Sequence, residues 1–431
     1  MRVWMVEATE PLPIDEGERA WRCGMLSAAL LARGHEVRWW TSTFHHARKV
    51  HRLDAPQTIE RQPGLTLRLL HGPGYRRNLS LARIRHHQVV AEAFAREAAV
   101  LSKPDLIFCC MPTPELAEKA VELGRRDGVP VVIDVRDLWP DSYLGIVPRP
   151  LRWIAKLALR SRFRRMSRIC REARGLTAVS DYYLAWALAY AGRSRSVNDR
   201  TFPLAFPAPA RPSPAASPEE SARTLARFNL PAGAIVATFA GIFGSTYDLE
   251  TVIEAARKLA SSGIDAAHLV LAGDGEKTAK LKARARGLTN LTFTGWLDQF
   301  ALQDLLAASA IGLAPYTSGA PQSMPNKPFE YMASGLALVS SLGGELGDLV
   351  RSEQIGLGYT AGDAASLAAA IELLCAKPAL RRQMGANGRR IFAERFSDAV
   401  VYPALVQHLE MIANGQVADS DLRAKTDRAV L

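Results

Sequence analysis

Cysteine is scarce in this 431-residue chain: there are five, an odd number, and two of them, Cys109 and Cys110, are neighbours inside an apolar run. That excludes a disulfide framework of the secreted kind and gives no paired Cys-x-x-Cys motif for zinc. The reading is reduced thiols in a cytoplasmic protein. No stretch reaches about 18 consecutive apolar residues, so no membrane-crossing helix is expected. Met1-Arg2-Val3-Trp4-Met5-Val6 runs directly into Glu7, Glu10, Pro11 and Pro13. Without a longer apolar region and a small-residue cleavage site, no secretory signal is expected either. Gly-x-Gly-x-x-Gly is missing from both places where an α/β pattern starts, which argues against a nicotinamide-dependent dehydrogenase. Asp-x-Asp occurs only at Asp419-Ser420-Asp421, in a polar C-terminal stretch from 416 expected to be mobile. No metal site and no cofactor are therefore expected. Aromatic residues make up 7% of the chain and no nucleic-acid-binding motif is present, so nucleic acid is not expected as a partner.

What is present is the composition of a folded protein, 48% hydrophobic and 23% charged, in a length that suits two domains. The net charge of +11 is uneven: between 149 and 174, ten Lys or Arg residues stand against one acid, Glu172. Within that window Arg152, Lys156, Arg160, Arg164 and Arg168 recur every four residues. One helix would carry them as a single basic face, with Trp153, Ile154, Leu157, Phe163, Met166 and Ile169 on its other sides. Such a helix suits an anionic membrane surface, and equally a solvated basic face packed by its apolar side onto the domain.

Strand-like and helix-like segments alternate along both halves. Expected strands are 2–6, 36–41, 106–110, 131–135 and 175–179, with helices at 20–33 and 115–126. Residues 207–218 hold five prolines in twelve positions, which no helix or central strand accommodates. The interdomain linker is placed at 207–224, between an N-terminal domain (1–206) and a C-terminal domain (225–395). A helix at 396–415 is expected to pack back on the first domain. In the second half strands are expected at 235–240, 268–272, 291–294, 311–314 and 337–340, with helices at 249–261, 278–287, 301–308 and 327–334. The fold class is α/β, two Rossmann-like doubly wound parallel sheets facing a cleft, with ligands at the carboxyl ends of the strands.

Glycines cluster at those ends: Gly241 and Gly244 before Ser245-Thr246, Gly273 in Ala272-Gly273-Asp274-Gly275, and Gly295. Glycine lets main chain approach a phosphate, although each turn alone is also an ordinary strand-to-helix connection. The sharper signal is Asn326-Lys327-Pro328-Phe329-Glu330-Tyr331-Met332-Ala333-Ser334-Gly335. A carboxylate in the first helical turn suits a ribose diol, and a lysine three residues earlier reaches phosphate. The alternative is a carboxylate that only complements the helix dipole.

With Val339-Ser340-Ser341 and Gly343-Gly344-Glu345-Leu346 behind it, this segment resembles the donor-binding region of the large retaining GT-B glycosyltransferase family of bacterial capsule, O-antigen and exopolysaccharide enzymes. Leu271-Ala272-Gly273-Asp274-Gly275 and Phe293-Thr294-Gly295 match in order. Gly17 and the helix running to Arg33-Gly34-His35-Glu36-Val37 resemble that family's glycine loop and first helix. The resemblance implies donor binding by Gly241, Gly244, Ser245, Gly273, Lys327 and Glu330, with Glu330 as the second carboxylate of a Glu-x7-Glu motif. Gln322 stands where the first carboxylate belongs, and an amide hydrogen-bonds a hydroxyl without offsetting positive charge. Asp134-Val135-Arg136-Asp137-Leu138-Trp139-Pro140-Asp141 resembles an amino-sugar-transferase-like subgroup, with Arg136 at a position that related enzymes fill with a histidine facing the donor sugar. Arg136, Asp137 and Gln322 are thus the expected catalytic-side residues, and a buried Arg–Asp pair bracing the loop is the structural alternative. Gly17, Glu18 and His46 are expected on the acceptor side. Arg152, Lys156, Arg160 and Arg164 form the expected membrane face.

The implied activity is transfer of a sugar, with retention, from a nucleotide-diphosphate donor (a UDP-sugar favoured) to a glycan or polyprenyl-diphosphate-linked acceptor. The expected place is the cytoplasm, peripheral to the inner face of the membrane. The competing readings are a sugar-nucleotide epimerase of the same fold, disfavoured by Gln322, and a non-catalytic membrane-associated scaffold.

Overall fold

The computed structural model describes residues 1–207, 218–264 and 266–415, with side chains for all of these except Ile146 and 218–222. The described chain forms two compact units: Met1–Pro203 together with 401–415, and Leu204–Val400. Of the stretch expected as a linker, 208–217 lies outside the described residues, as do 416–431. The end of that stretch is helical, since Pro218–Arg227 is a helix opened by a proline at the position where its missing N–H costs nothing.

The first unit is built on an eight-stranded sheet in the order Arg200–Thr201, Gly175–Ala178, Val131–Val135, Leu106–Met111, Arg2–Val6, Glu36–Ser42, Leu65–Leu70, Gln57–Gln62. All neighbours are parallel except the last pair, an antiparallel edge hairpin. Leu106–Met111 and Val131–Val135 are buried at every residue, as strands covered on both faces must be. Each large apolar side chain so covered contributes roughly 1.5–3 kcal/mol of burial. The edge hairpin and the helix Leu81–Ala98 were not anticipated. Gln57–Gln62 is almost wholly exposed and polar, so no alternation marks it. The C-terminal helix Asp398–Ala413 joins this unit from Val401. Its Glu410 accepts from Arg33 Nε and Nη2 at 2.9 and 2.8 Å and meets His35 Nε2 at 2.7 Å.

The second unit has six parallel strands in the order Leu291–Gly295, Ala267–Ala272, Ile235–Ala240, Ile311–Ala314, Ala337–Ser340, Gly356–Gly358. Its first strand lies mid-sheet. Later strands add to one side of it and then to the other, so the order reverses between Ile235–Ala240 and Ile311–Ala314. Helices start on side-chain caps. Asp248 accepts from Thr251 N at 3.1 Å ahead of Leu249–Ser261, and Asp298 from Ala301 N at 2.8 Å ahead of Gln299–Ala308.

The basic stripe is not one helix face. The segment folds as Arg149–Leu151, Arg152–Ala158 and Arg160–Glu172, broken at Leu159. Only the later part packs by its apolar side, through Met166 and Ile169; Leu151, Trp153, Ile154 and Leu157 are exposed.

A buried ion pair ties the first unit together. Arg22 donates Nε and Nη2 to the two carboxylate oxygens of Asp134 at 2.8 and 2.9 Å, and Nη1 to Pro203 O at 3.1 Å. Thr177 Oγ1 donates to Asp134 at 2.7 Å. Burial alone would raise the Asp134 carboxyl, but Arg22 outweighs it and holds it below the ordinary carboxylate range. Removing one partner leaves a buried charge unmatched, so Arg22→Met is expected to cost about 3–5 kcal/mol in denaturant unfolding. A loss under about 1 kcal/mol would contradict that. Because the folded value is depressed, the Asp134 contribution is complete above the unfolded value of about 4 and is lost as pH falls through the folded one. The variant's deficit should therefore shrink on acidification below about pH 4.

Candidate active site

In the second unit the end of Ile235–Ala240 and the end of Ala267–Ala272 touch through bare main chain. Gly273 has φ +137°, and a Cβ there would collide with the Gly241 carbonyl oxygen. Gly241 has φ +152°, and its missing Cβ leaves the space that Lys327 Nζ and Cε occupy. Only glycine takes these dihedrals without strain. The turn is closed by Gly241 N to Ala272 O and Phe243 N to Asp274 O, both 2.8 Å. Lys327 enters from the helix Asn326–Ser334, its ammonium 5.3 Å from the Phe239 ring centre and 5.1 Å from that of Tyr247. The structure thus brings Gly241, Gly273 and Lys327 into one cluster at the sheet's reversal point, where open α/β sheets take ligands.

Glu330 follows one turn after Lys327, half-buried, with Tyr247, Tyr316 and Tyr331 in its electrostatic surroundings. The helix starts at Asn326, so Glu330 lies in the second turn and not, as expected, the first. The dipole-only explanation loses its basis, because that effect fades beyond the first turn. Tyr331 Oη accepts from Ala240 N at 3.0 Å and anchors this helix to the central strand. Gln322 Oε1 and Asn326 Oδ1 are buried with no hydrogen-bond partner among the described residues. Gly244 and the exposed Ser245 complete the turn after the first strand.

In the first unit Arg136 is drawn inward. It pairs with Glu10, lies 3.5 Å from Glu7 and 3.9 Å from Asp134, and its side chain is 13% exposed. The Arg–Asp alternative is therefore only part of the geometry, because the acids that hold Arg136 are mainly Glu7 and Glu10. Burial raises the Glu10 carboxyl above its ordinary range and the Arg136 charge works against that rise. Glu7 also accepts from Thr9 N and Glu10 N at 2.8 Å, and Glu10 from Cys23 N at 2.8 Å. The sequence reading missed both acids as site residues. Their place directly after the first strand was the available signal. Asp137 faces its own loop, accepting from Leu138 N at 2.8 Å and Trp139 Nε1 at 2.6 Å.

Gly17 sits in an exposed turn with φ +75°. Glu18 pairs with Arg48 at 2.8 Å and lies 3.7 Å from His45, not beside His46. His46 Nδ1 meets Tyr75 Oη at 2.5 Å. Burial, reinforced by Lys49 and Arg83, pushes His46 down to about 3. Among the described residues no group of His, Cys, Asp and Glu is arranged to hold a metal ion, and no helix is long and apolar enough to cross a membrane.

This geometry has counterparts among known proteins. Residues 234–377 match the family "Glycosyl transferases group 1". The chain is 29% identical over 187 residues to the lipopolysaccharide core biosynthesis glycosyltransferase LpsE of Rhizobium meliloti (strain 1021); the match spans 43% of this chain and about half, 52%, of that protein. The fold is that of sucrose-phosphate synthase from Thermosynechococcus elongatus (TM-score 0.74, 21% identity, 96% of this chain and 100% of that one). It is also that of Anabaena HepE, solved in complex with UDP (TM-score 0.68, 14% identity, 95% and 99%). The protein is thus a two-unit α/β chain with the GT-B fold of these structures, and 234–377 of its second unit match that family model.

A histidine held near 3 is neutral throughout the physiological range. The His46 ring resonances are expected to stay constant between about pH 5 and 8 in NMR titration, and a midpoint near the ordinary 6.5 would contradict this burial.

Proposed function

We propose that this protein is a glycosyltransferase that moves a sugar, with retention, from a nucleotide-diphosphate donor to a glycan or polyprenyl-diphosphate-linked acceptor in cell-surface polysaccharide assembly. The observation that carries the reading is the contact of Lys327 with the side-chain-free Gly241 at the sheet's reversal point. An ammonium against a turn bare of side chains suits a diphosphate, which can approach closely there. Glu330, one turn on, is at the right remove for both hydroxyls of a ribose. The unpartnered Gln322 Oε1 and Asn326 Oδ1 are acceptors in need of donors, which sugar or nucleotide hydroxyls supply. UDP is favoured as the nucleotide, since HepE of the same fold is known with UDP, and the LpsE match supports a lipopolysaccharide-type pathway.

In the step proposed, an acceptor hydroxyl forms a bond to the anomeric carbon as the bond from that carbon to the phosphate oxygen breaks. The hydroxyl proton passes to the departing phosphate oxygen on the same face. Lys327 and the Gly241–Gly244 main chain stabilise the charge on the leaving diphosphate, which makes the work mainly positioning and electrostatics. Arg136, oriented by Glu7 and Glu10, contributes on the catalytic side, next to the donor sugar. Gly17, Glu18 and His46 serve the acceptor side, with His46 as a neutral hydrogen-bonding group.

The exposed Leu151, Trp153, Ile154 and Leu157, flanked by Arg152, Lys156, Arg160 and Arg164, suit shallow insertion into an anionic membrane at the cytoplasmic face. The break at Leu159 leaves the apolar residues of the short helix outward, which is the arrangement such insertion needs.

Thermal unfolding with UDP, GDP, dTDP and ADP, without added metal, tests the donor site. A nucleotide at 100 times its Kd adds about 2.7 kcal/mol to stability, a shift of a few degrees at this chain length. One nucleotide is expected to give that shift, and Lys327→Ala and Glu330→Ala to abolish it. No shift with any nucleotide would overturn the proposal. In vesicle co-sedimentation, phosphatidylglycerol vesicles should retain the protein and pure phosphatidylcholine should not, with Trp153→Ala and Leu157→Ala weakening retention. Equal recovery on both lipids would refute the membrane face.

A further inference from the structure

The first unit holds a cavity that none of the residues above accounts for. It opens where Leu106–Met111 and Val131–Val135 end, between Pro112 and Pro114 on one strand exit and Trp139 on the other, and is roofed by the helices Leu81–Ala98 and Arg160–Glu172. Trp139 and Tyr143 form its aromatic wall, edge to face with ring centres 4.2 Å apart. Three arginines line it against a single carboxylate, Glu115. That carboxylate is already matched by Arg165, whose Nη1 donates to it at 3.2 Å, and by His87 at 3.6 Å.

The other two arginines form no ion pair among the described residues, although Asp137 acts on Arg83 from a distance. Arg162 lies over Tyr143, 5.9 Å from the ring centre, and its guanidinium makes no hydrogen bond and no ion pair among the described residues. Arg83 lies 5.6 Å over Trp139. Its Nη1 donates to the Asn78 carbonyl at 3.2 Å and its guanidinium also meets Tyr75, but its buried Nε has no hydrogen-bond partner among the described residues. A buried donor left unmatched is costly unless something fills it. A more open depression shares Ser80 with this cavity and adds Lys49, Arg76 and Arg77, with no acid in its lining.

Aromatic planes beside spare guanidinium donors suit a sugar ring that bears an oxyanion. We propose that this cavity is the acceptor subsite and that Arg162 and Arg83 hold a phosphate or carboxylate carried on the acceptor sugar, with the ring against Trp139 and Tyr143. The assignment of the ligand as an acceptor rests on the glycosyltransferase reading; the anion site itself does not.

The test uses the full chain and three probes: galactose, galactose 1-phosphate and galacturonate, followed by saturation-transfer NMR titration, with the UDP-induced thermal shift measured on the same samples. At least one charged sugar should bind and galactose should not, and comparison of the two charged sugars separates phosphate from carboxylate. Arg162→Gln and Arg83→Gln should each weaken the charged probe about tenfold, the size of a lost charge-assisted hydrogen bond. Arg162→Lys should recover only part, since the planar fork is lost. Binding of all three sugars alike, binding of none, or an unchanged affinity in Arg162→Gln overturns the subsite. If charged-sugar binding depends on Arg162 but UDP gives no shift, the anion site stands and the donor reading falls. A UDP shift with sugar binding that ignores charge removes the subsite alone.

Discussion

The second unit depends on an approach that side chains forbid. Gly273 and Gly241 meet main chain to main chain, and Lys327 fills the space the Gly241 Cβ would have taken. Everything proposed for the donor follows from that contact. It leaves the strand ends free of side chains, it brings the Lys327 ammonium against that bare turn, and it joins the turn to the helix on which Glu330 rides. Tyr331 secures the same helix from beneath through Ala240 N. A turn of this kind is rigid because it has no slack: its dihedrals belong to glycine and its neighbours are backbone.

The first unit solves a different problem. Its strand ends carry buried charge in quantity: Arg22 with Asp134, and Arg136 with Glu7 and Glu10. Burial opposes these ions, and the network persists because its carboxylates accept several donors; Arg22 outweighs burial at Asp134, whereas burial prevails at Glu10. Arg136 thereby gains a fixed orientation through acids that lie immediately after the first strand. The excess of arginine over acid appears only farther out, around Trp139 and Tyr143, where the protein leaves donors unmatched. Paired charge at the strand ends and an arginine excess in the adjacent cavity underlie the two roles proposed, holding the loop and receiving an anion.

Most of the architecture was legible in the sequence. Continuous apolar runs such as Leu106–Met111 and Ile311–Ala314 declare buried parallel strands, and the strands Arg2–Val6 and Ile235–Ala240 fall where their runs place them. The glycines at strand ends and the Lys327–Glu330 spacing pointed to the cluster proposed to hold the donor. Three things were not legible. The hairpin Gln57–Gln62 with Leu65–Leu70 hides because its outer strand is exposed and polar. The four-residue spacing of basic residues survives a helix break at Leu159 that no proline or glycine announces. The partners of Arg136 lie 126 and 129 residues away, and only the sheet order brings them together. Local pattern reports local structure, whereas pairing between distant carboxylates and guanidinium groups is a property of topology.

The most direct test of the central claim is hydrogen–deuterium exchange of the full chain with and without saturating UDP. Slowed exchange confined to the turn after Ile235–Ala240, the Gly273 turn and the first turns of Asn326–Ser334 is the predicted result. UDP that binds yet leaves those three segments unprotected would contradict the account.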